Sequence, residues 1–286
     1  MSRRGTPGNV VLAVMIAIAA VLSYWAYFSE RDPFAIDHER RVRRMMAAMG
    51  QPLPGTPDLT RLGARLAEER LTQGAPLVIR IFKAEFELEL WMLRDGRFVR
   101  FASYPICRWS GRLGPKLIEG DRQAPEGFYQ VDSKALNPDS RWHRSFNIGF
   151  PNALDRAHGR TGTYLMVHGG CASIGCYAMT DAVIDEVWRL VTAALGAGQA
   201  RIPVHIFPFR MTDENMENAR NHPWHGFWRD LKLGHDHFEA ELLPPRVTVC
   251  EGRYRFAPAT TQRDWTAPIT SECPSVRDAA HAEGGA

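Results

Sequence analysis

The amino-acid sequence predicts an α+β fold: a mainly β domain with flanking helices and one N-terminal transmembrane helix. Residues 85–90 read EFELEL, and this alternation of acidic and apolar residues is typical of a strand with one face in a core and one in water. Short apolar segments separated by Gly- and Pro-rich loops follow, which favours several short strands. The segment after Cys176 instead spaces its apolar residues at a helical period.

The N-terminal segment, residues 1–28, is predicted to be a signal anchor. Arg3 and Arg4 precede nineteen uncharged, mostly apolar residues, 10–28. At about 1.5 Å per residue, a helix of that length nearly spans a hydrocarbon core of about 30 Å. The two arginines favour a cytoplasmic N-terminus, which places the rest of the chain outside the inner membrane. A cleaved signal peptide is the alternative, because alanines within the segment supply a cleavage site, and it gives the same location.

Changes in composition predict the domain boundaries. Strand character begins at Leu77, and Asp95 with Gly96 predicts a hairpin turn. The predicted parts are a juxtamembrane stalk with a lead-in helix (29–75), a β-domain (76–209), C-terminal helices (210–243) and a Pro-rich tail (244–286). Further strands are predicted at 98–106, 127–131, 146–148, 164–168 and 203–207, in a mainly antiparallel arrangement.

Three helices are predicted in the C-terminal half. The first follows Cys176 and begins at Thr180 or Asp181, either of which is a good N-cap. The other two lie at 212–221 and 223–233, and the second opens with proline, as helices often do. The tail is predicted to hold one short strand at 246–250 and to end in disorder.

Charge and cysteine content restrict the possible partners. The 35 basic and 32 acidic residues leave a formal charge of +3, too even a balance to indicate nucleic acid. Five cysteines cannot all pair, so at least one is free. Cys250 and Cys273 could form a disulfide, and Cys107 is expected to be a buried apolar residue. Cys171 could be structural, a partner for Cys107, or a thiol that competes with Cys176.

The most informative stretch is residues 166–181, MVHGGCASIGCYAMTD. It sets His168 and Cys176 eight positions apart across a glycine-rich turn, where an imidazole can make a thiol nucleophilic. Gly175 and its neighbouring glycines let the backbone turn tightly and approach a ligand. A thiol near a histidine and a helix N-terminus is expected to ionise more easily than its ordinary pKa of about 8.5 allows.

This pattern, His-Gly followed by Ser-x-Gly-Cys with a Met three residues later, resembles the catalytic signature of the L,D-transpeptidase (YkuD, or ErfK/YbiS/YcfS/YnhG) family. Within that family the likeness is to the YafK-like subgroup, and it covers about residues 77–239. Three further segments carry it: YPICRWSGRLGPKLIEGDRQAPEGFYQV (104–131), SFNIGFPNALDRAHGRTGTYLMVHG (145–169) and VHIFPFRMT (204–212). The resemblance implies a YkuD-type β-domain that acts on peptidoglycan in the periplasm.

The resemblance also implies the roles of the motif residues. Cys176 is the nucleophile and His168 the base of an acyl transfer at diaminopimelate, without a cofactor, through a thioester that passes to an amine or to water. Backbone N–H groups near Gly175, Cys176 and Tyr177 are expected to stabilise the oxyanion, and Ser173 either supports the loop or binds substrate.

Two positions depart from the family pattern. Most members have a second His two residues before the Cys and often an Arg two residues after it, where this chain has Ile174 and Ala178. The loop between His168 and Cys176 is also shorter than usual. The acceptor therefore stays open, and two alternatives accompany the transpeptidase: a hydrolase or amidase that releases a lipoprotein or a stem-peptide crosslink from diaminopimelate, and a non-catalytic peptidoglycan-binding module.

Arg160, His158 and Arg122 are candidate substrate-binding residues, because stem peptides carry several carboxylates that guanidinium groups can pair with. The alternative is that they form salt bridges that order loops. A zinc site built from His168, Cys171 and Cys176, with or without His158, is a weaker hypothesis, and no metal is expected. The expected partners are therefore peptidoglycan stem peptides, a peptidoglycan-linked lipoprotein in the hydrolase alternative, and the inner membrane through the N-terminal segment.

Overall fold

The computed structural model of the protein describes residues 36–273 and the isolated positions 15, 18 and 19. The predicted membrane anchor and the end of the tail lie outside the described residues. Among the residues that are described, no helix is both long and apolar enough to cross a membrane. Contacts divide the chain into two units, 1–42 and 43–286. In the first unit the guanidinium of Arg40 pairs with the carboxylate of Asp37, with 3.0 Å between N and O.

The helices agree in place with the predictions for the C-terminal half. Thr180 and Thr212 are the N-caps of the helices that follow them, and the second of these accepts a hydrogen bond from the N–H of Asn215. The last long helix continues past residue 233 because Phe238 extends its buried face. The helices are α1 (Ile36–Ala48), α2 (Leu62–Glu68), α3 (Ala153–Ala157), α4 (Asp181–Gly196), α5 (Asp213–Asn218), α6 (His225–Glu241) and α7 (Gln262–Trp265), with 3-10 turns at Leu59–Arg61 and Ser133–Ala135.

The strands form three sheets. The strands are β1 (Leu77–Phe82), β2 (Glu87–Arg94), β3 (Arg97–Pro105), β4 (Gly127–Val131), β5 (Leu136–Ser140), β6 (His143–Asn147), β7 (Met166–His168), β8 (Tyr177–Ala178), β9 (Ile202–Phe207), β10 (Arg246–Cys250), β11 (Arg253–Ala257) and β12 (Thr270–Ser271). The five-stranded sheet, called the large sheet below, has the order β3-β2-β1-β9-β4, and the four-stranded sheet, called the small sheet, has the order β5-β6-β7-β8. A separate three-stranded sheet has the order β11-β10-β12. The fold is therefore α+β, as predicted.

The strand directions are more mixed than expected. β2 and β3 are joined at Asp95 and Gly96, both at positive φ, as the hairpin prediction requires. However, β1 pairs with β9, β7 with β8, and β10 with β12 in parallel. Parallel neighbours need long connections between them, and the whole of the small sheet and α4 lies between β1 and β9 in sequence. β1 and β9 are buried at every position, so both faces of the large sheet are covered at its centre.

The alternation at 85–90 predicted a water-facing row of glutamates, and this was wrong at one position. Glu89 is only 1% exposed, because its carboxylate accepts hydrogen bonds from the guanidinium groups of Arg100 and Arg210. Glu85 precedes β2 and lies in a turn. Arginines from β3 and from the segment after β9 thus cover the polar face of the sheet, which a period-2 pattern cannot reveal.

The small sheet and α4 together hold the glycine-rich motif. α4 contacts β6 of the small sheet and β1 of the large sheet. Its buried face consists of apolar residues that include Ile184, Val187 and Val191. Because the helix packs on both sheets, it fixes the small sheet, and the loop between β7 and β8, against the main core.

The tail is more ordered than predicted. β10 forms a hairpin with β11 and also pairs with β12, so the region up to residue 271 is structured. A disulfide joins Cys250 at the end of β10 to Cys273 just beyond β12. This pairing, left open by the sequence, closes the three-stranded sheet covalently.

Candidate active site

The catalytic pair predicted from the motif lies on two neighbouring strands. His168 is the last residue of β7, and Cys176 directly precedes β8. The two strands are parallel and pair Val167 with Tyr177 and His168 with Ala178. The same register continued by one residue places Cys176 beside Met166, and the Met166 N–H does hydrogen-bond to the Cys176 sulfur.

This register puts the sulfur and the imidazole on one face of the small sheet. Alternate residues of a strand point to the same face, so Met166 and His168 share a face, and Cys176 lies on it beside Met166. Diagonal neighbours on one face are about 7–8 Å apart at Cα, a separation that side chains of this size can bridge. The sequence prediction that His168 and Cys176 meet across the loop thus has a geometric basis in the parallel pairing.

The loop between them is held by its own backbone and hydroxyl groups. Gly175 has φ of +145°, and a Cβ there would lie 3.2 Å from a methyl carbon of Leu165, so only glycine suits this position. The Ser173 hydroxyl donates to the carbonyl of Cys176 at 2.7 Å and accepts from the Gly175 N–H at 3.2 Å. It also lies 3.1 Å from the hydroxyl of Ser110. These contacts favour the loop-support role for Ser173 over substrate binding.

A disulfide between Cys107 and Cys171 ties the loop to the segment after β3. The same segment adds to the edge of the small sheet, where Arg108 bridges Ala178. The Cys171 N–H donates to the carbonyl of Met179 at 3.1 Å, which closes the loop from the other side. The pairing leaves Cys176 as the free cysteine among the described residues and removes the competing thiol that the sequence allowed.

The imidazole of His168 is 3% exposed and has a defined tautomer. Its Nδ1 lies 2.5 Å from the carbonyl oxygen of Gly169. A carbonyl can only accept, so Nδ1 carries the hydrogen, and in the neutral ring Nε2 keeps the lone pair that a base needs. Burial lowers the pKa of His168, partly offset by the Gly169 bond, which keeps the ring neutral near pH 7.

The thiol of Cys176 differs from the expectation of easy ionisation. Burial raises its pKa, and this outweighs the hydrogen bond from Met166 and the charge of Lys116, which both act to lower it. The thiol donates instead to the carbonyl of Tyr164, with 3.6 Å between sulfur and oxygen. The prediction of easy ionisation was wrong for the resting state. The His168 imidazole is itself buried and neutral, so it offers no positive charge to stabilise a thiolate.

Backbone donors for an oxyanion are present at the nucleophile. The Gly175 N–H is occupied by Ser173. The Cys176 N–H, by contrast, makes no hydrogen bond with any part of the chain that the structure describes, while Gly175 before it leaves the backbone free to turn. Tyr177 belongs to β8, and its hydroxyl donates to the carbonyl of Pro125 at 2.6 Å. The Cys176 N–H is therefore the best-placed donor of the three predicted residues.

A buried ion pair holds the segment 106–126, which contains Pro125. Lys83 and Glu126 are both fully buried, with 2.9 Å between Nζ and Oε1. The ammonium also donates to the carbonyls of Arg112, Gly114 and Ala124 at 2.8–3.0 Å. One cation thus satisfies carbonyls from two separate parts of the segment, residues 112–114 and residue 124. The 106–126 segment is therefore held rigid beside the motif and is called the wall below.

A second lysine organises the same wall nearer the thiol. Lys116 pairs with Asp121, with 2.5 Å between Nζ and Oδ1, and the Asp121 carboxylate also accepts from three backbone N–H groups. The carbonyl of Leu117 accepts from the N–H of Thr161 at 3.0 Å. This hydrogen bond joins the wall to the segment that ends at Tyr164. The carbonyl of Tyr164 accepts the hydrogen bond of the Cys176 thiol.

The candidate substrate-binding residues divide into two groups. Arg160 is buried and pairs with Asp155, with 2.9 Å between N and O, so its charge is used inside the fold. The His158 Nε2 lies 2.8 Å from the carbonyl of Gly252 in the β10–β11 turn. Arg122 and His158 are both exposed, but only Arg122 lies next to Gln123, whose carbonyl lies 3.7 Å from where a Cβ of Gly175 would be. The structure brings Arg122, but not the other two, towards the motif.

Within residues 36–273, no cluster of three or more His, Cys, Asp or Glu side chains is arranged to hold a metal ion. Cys171 is oxidised in a disulfide, so the set proposed for zinc lacks one of its thiolates.

Sequence reasoning missed two contributors to the site. Tyr164 has a left-handed backbone and a 73% exposed side chain, and its carbonyl meets the thiol. Trp142, from the turn between β5 and β6, packs its ring 6.0 Å from that of His168. The Tyr164 contact is made by a backbone carbonyl, which every residue has, and β5 was not predicted at all, so no pattern marked either residue.

Comparison with known proteins shows the family of the chain. Residues 77–206 match the YkuD family, the L,D-transpeptidase catalytic domain. A protein of Escherichia coli strain K12 that carries the provisional name L,D-transpeptidase YafK is 51% identical over 181 residues, which cover 63% of this chain and 74% of that protein. A protein of the same name from E. coli O157:H7 gives the same figures. The chain belongs to the YkuD family of L,D-transpeptidases.

Two solved structures resemble parts of the chain. The helical cell shape determining protein Pgp2 from Campylobacter jejuni has a TM-score of 0.39 and 20% identity, over 55% of this chain and 59% of that one. Bdellovibrio bacteriovorus Bd1075 has a TM-score of 0.36 and 18% identity, over 58% of this chain and 62% of that one. The chain spans less than two thirds of either protein.

Proposed function

We propose that the protein is a cysteine-nucleophile L,D-transpeptidase that transfers an acyl group of a peptidoglycan stem peptide at diaminopimelate, in cell-wall organisation. The observation that carries the proposal is the parallel pairing of β7 with β8, which puts the free thiol of Cys176 and the unprotonated Nε2 of His168 on one face of a sheet. Family membership supplies the class of substrate.

The first step starts from a neutral pair. The pKa of Cys176 is raised and that of His168 is lowered, so neither group is charged near neutral pH. The sulfur therefore attacks the carbonyl carbon of the L-centre while its proton moves to Nε2 of His168. Before the sulfur can attack, the thiol must break its hydrogen bond to the carbonyl of Tyr164, which it makes in the resting state.

The tetrahedral intermediate then collapses to a thioester. The Cys176 N–H stabilises the oxyanion, because it has no other partner among the described residues. The C–N bond breaks, and the leaving amine takes the proton from the His168 imidazolium. The acyl group stays on the sulfur, and the imidazole is neutral again, ready to accept a second proton.

The second step decides the net reaction. An incoming amine gives its proton to Nε2 of His168, attacks the thioester, and the C–S bond breaks with return of the proton to the sulfur. Water in the same place makes the protein a hydrolase, which releases a linked lipoprotein or a stem-peptide crosslink. Ile174 stands where most family members have a second histidine and is 79% exposed, so the acceptor side of the site has an apolar residue in place of a polar one.

The reaction takes place outside the inner membrane in this proposal. Two disulfides among the described residues are typical of an oxidising compartment such as the periplasm. The apolar segment 10–28 behind Arg3 and Arg4 supplies an anchor or an export signal.

The test is the intact mass of the full-length protein after incubation with a tetrapeptide stem, with and without an amine acceptor. We expect an acyl adduct on Cys176 that is absent in Cys176→Ala, and a crosslinked product when the amine is present. Release of the stem in both conditions without a crosslink supports the hydrolase instead. If no adduct forms and Cys176 reacts with iodoacetamide no faster than an ordinary exposed thiol, the protein is a peptidoglycan-binding module and the proposal is wrong.

A further inference from the structure

Trp142 occupies the tip of the hairpin that joins β5 to β6. Ser140 pairs with His143 across this turn, and the Trp142 N–H donates to the hydroxyl of Ser140 at 3.2 Å. The side chain is 43% exposed. The hairpin is thus a rigid arm that carries a half-exposed indole.

The arm is attached to the catalytic loop through the backbone. The N–H of Gly169 donates to the carbonyl of Trp142 at 3.1 Å and to that of Arg144 at 3.3 Å. Gly169 is also the residue whose carbonyl receives Nδ1–H of His168. One residue, Gly169, therefore connects the hairpin tip through its N–H and holds the imidazole tautomer through its carbonyl.

The indole itself covers the imidazole. The two ring centroids are 6.0 Å apart and the ring planes are 33° apart, a tilted stack. At Gly170, with φ of +80°, a Cβ would lie 2.9 Å from a ring carbon of Trp142, so no larger residue fits there. Gly170 thus leaves room for the indole. With the indole beside it, His168 is only 3% exposed.

The charged groups near the loop contact other groups: the guanidinium of Arg141 lies over the ring of Trp142, 5.9 Å from its centroid, and the others form ion pairs or hydrogen bonds. On β6, His143 and Arg144 both contact the carboxylate of Asp185 on α4, at 2.9 and 2.7 Å. Asp181 of α4 accepts from the N–H of Gly170 at 2.8 Å. On the other side Cys176 is a neutral thiol. The environment of the imidazole is therefore set by the rings and backbone that enclose it more than by a charge.

We propose that Trp142 is a positioning residue of this site: its indole holds the His168 ring against the Gly169 carbonyl and keeps water from that ring. The inference rests on the proposed acyl transfer for its purpose, since an imidazole held in one tautomer with Nε2 free is what the transfer requires. It concerns a contact that can be measured without any substrate.

The test compares the full-length protein with Trp142→Ala, Trp142→Phe and, as a control at an exposed position of β5 in the same hairpin, Asp139→Ala. Histidine labelled with 13C reports the titration of His168 by NMR, assigned by its loss in His168→Gln. Trp142→Ala is expected to move the midpoint up towards about 6.5, the value of an unburied histidine, while Trp142→Phe and Asp139→Ala leave it near that of the parent.

The rate of Cys176 acylation by the tetrapeptide stem is the second measurement. Trp142→Ala is expected to lower it roughly 10- to 100-fold, because a displaced base loses its alignment with the thiol, and Trp142→Phe is expected to restore most of it. An unchanged His168 titration in a folded Trp142→Ala protein would overturn the inference. If His168 responds as expected but no variant, parent included, forms an adduct, the positioning holds and the proposed function fails. Should Trp142→Ala not fold, Trp142→Leu takes its place: a raised His168 midpoint with a lower acylation rate supports the contact, and an unaltered midpoint overturns it.

Discussion

His168 and His205 are both buried histidines with lowered pKa values, but they lie in regions built for different purposes. The ring of His168 sits on the small sheet with one nitrogen bonded to Gly169 and a free thiol on the same face. The ring of His205 lies in the aromatic core beside the large sheet, with ring centroids 4.8–6.3 Å from those of Phe128, Phe207 and Phe238. Its buried Nδ1 has no hydrogen-bond partner among the described residues. Burial alone therefore does not mark a catalytic histidine; a bonded nitrogen, a free one and a neighbouring nucleophile do.

The same two regions each contain a buried cation, and these differ in the same way. Lys83, behind the wall of the site, has Glu126 and three carbonyls as partners. Arg80, in the aromatic core, pairs with Glu239 but leaves Nε and Nη2 without a hydrogen bond. Its guanidinium lies over aromatic rings instead, 4.7 Å from that of Phe238. The ammonium of Lys83 is thus satisfied by oxygen atoms, whereas the guanidinium of Arg80 depends in part on contacts with aromatic rings.

The sharpest test of this comparison replaces each histidine by phenylalanine. His168→Phe is expected to lower the rate of acylation by roughly 10²- to 10⁴-fold, because the base is lost, with the fold retained. His205→Phe places an apolar ring among aromatic rings and removes an unpaired nitrogen, so activity is expected to stay within about twofold. The acylation rate of the full-length protein and its chemical denaturation measure the two effects. Loss of activity in His205→Phe without loss of stability would show that the two regions are coupled.

The second test replaces each cation by methionine. Lys83→Met leaves the Glu126 carboxylate buried without its counter-ion, and we expect a loss of about 3–5 kcal/mol in the free energy of unfolding. Arg80→Met leaves Glu239, which is 47% exposed and can be solvated, so the expected loss is about 1 kcal/mol or less. Urea denaturation followed by tryptophan fluorescence measures both. Equal losses would contradict the distinction between satisfied and unsatisfied buried cations.

The two disulfides provide a third test, because one lies at the site and one far from the motif in the chain. The Cys107–Cys171 bond closes a separation of 64 residues and the Cys250–Cys273 bond one of 23. Chain entropy predicts losses of about 4 and about 3 kcal/mol when each pair is replaced by serine. Only the first replacement frees the loop that carries Ser173, so it alone is expected to reduce acylation by tenfold or more.

Measurement of acylation under conditions where both serine variants are folded separates the two effects. If replacement of Cys250 and Cys273 reduces acylation as strongly as replacement of the other pair, the disulfide acts through global stability and not through the loop.

The fold class could be predicted from the sequence, and His168 and Cys176 could be selected as the candidate pair, because both depend on local signals. The Asp95-Gly96 turn, the N-cap at Thr180 and the His168–Cys176 spacing are each decided by residues within a few positions of one another. The parallel pairing of β7 with β8 could not be predicted, because strands of two or three residues carry no period. Neither could the neutral state of the thiol, since it depends on burial by distant segments.

The burial of Glu89 and the attachment of Trp142 to the loop show the same limit. Arg210, which covers Glu89, and Gly169, which bonds to Trp142, are far away in sequence, and no one-dimensional pattern joins them. The commitment of Arg160 to Asp155 likewise depends on a fold that brings α3 against its neighbours. Local sequence patterns select His168 and Cys176 as candidates, whereas tertiary contacts determine the protonation state of each.

The smallest expected effect is the pH dependence of stability. Burial lowers the pKa of both His168 and His205, so below about pH 6.5 the unfolded chain binds protons that the folded chain does not. Stability is therefore fully present above that pH and falls as the pH drops, by at most about 1.4 kcal/mol per pH unit for each histidine. His205→Phe and His168→Phe are each expected to flatten the dependence between about pH 6.5 and 5.

Activity separates the two histidines in the same pH range. The acidic limb of acylation reports protonation of the base, so it is expected to be unchanged in His205→Phe and displaced upward in any variant that exposes His168. Denaturation midpoints and acylation rates taken at matched pH provide the comparison. An acidic limb that moves when His205 is replaced would mean that the aromatic core, and not the small sheet alone, sets the protonation of the site.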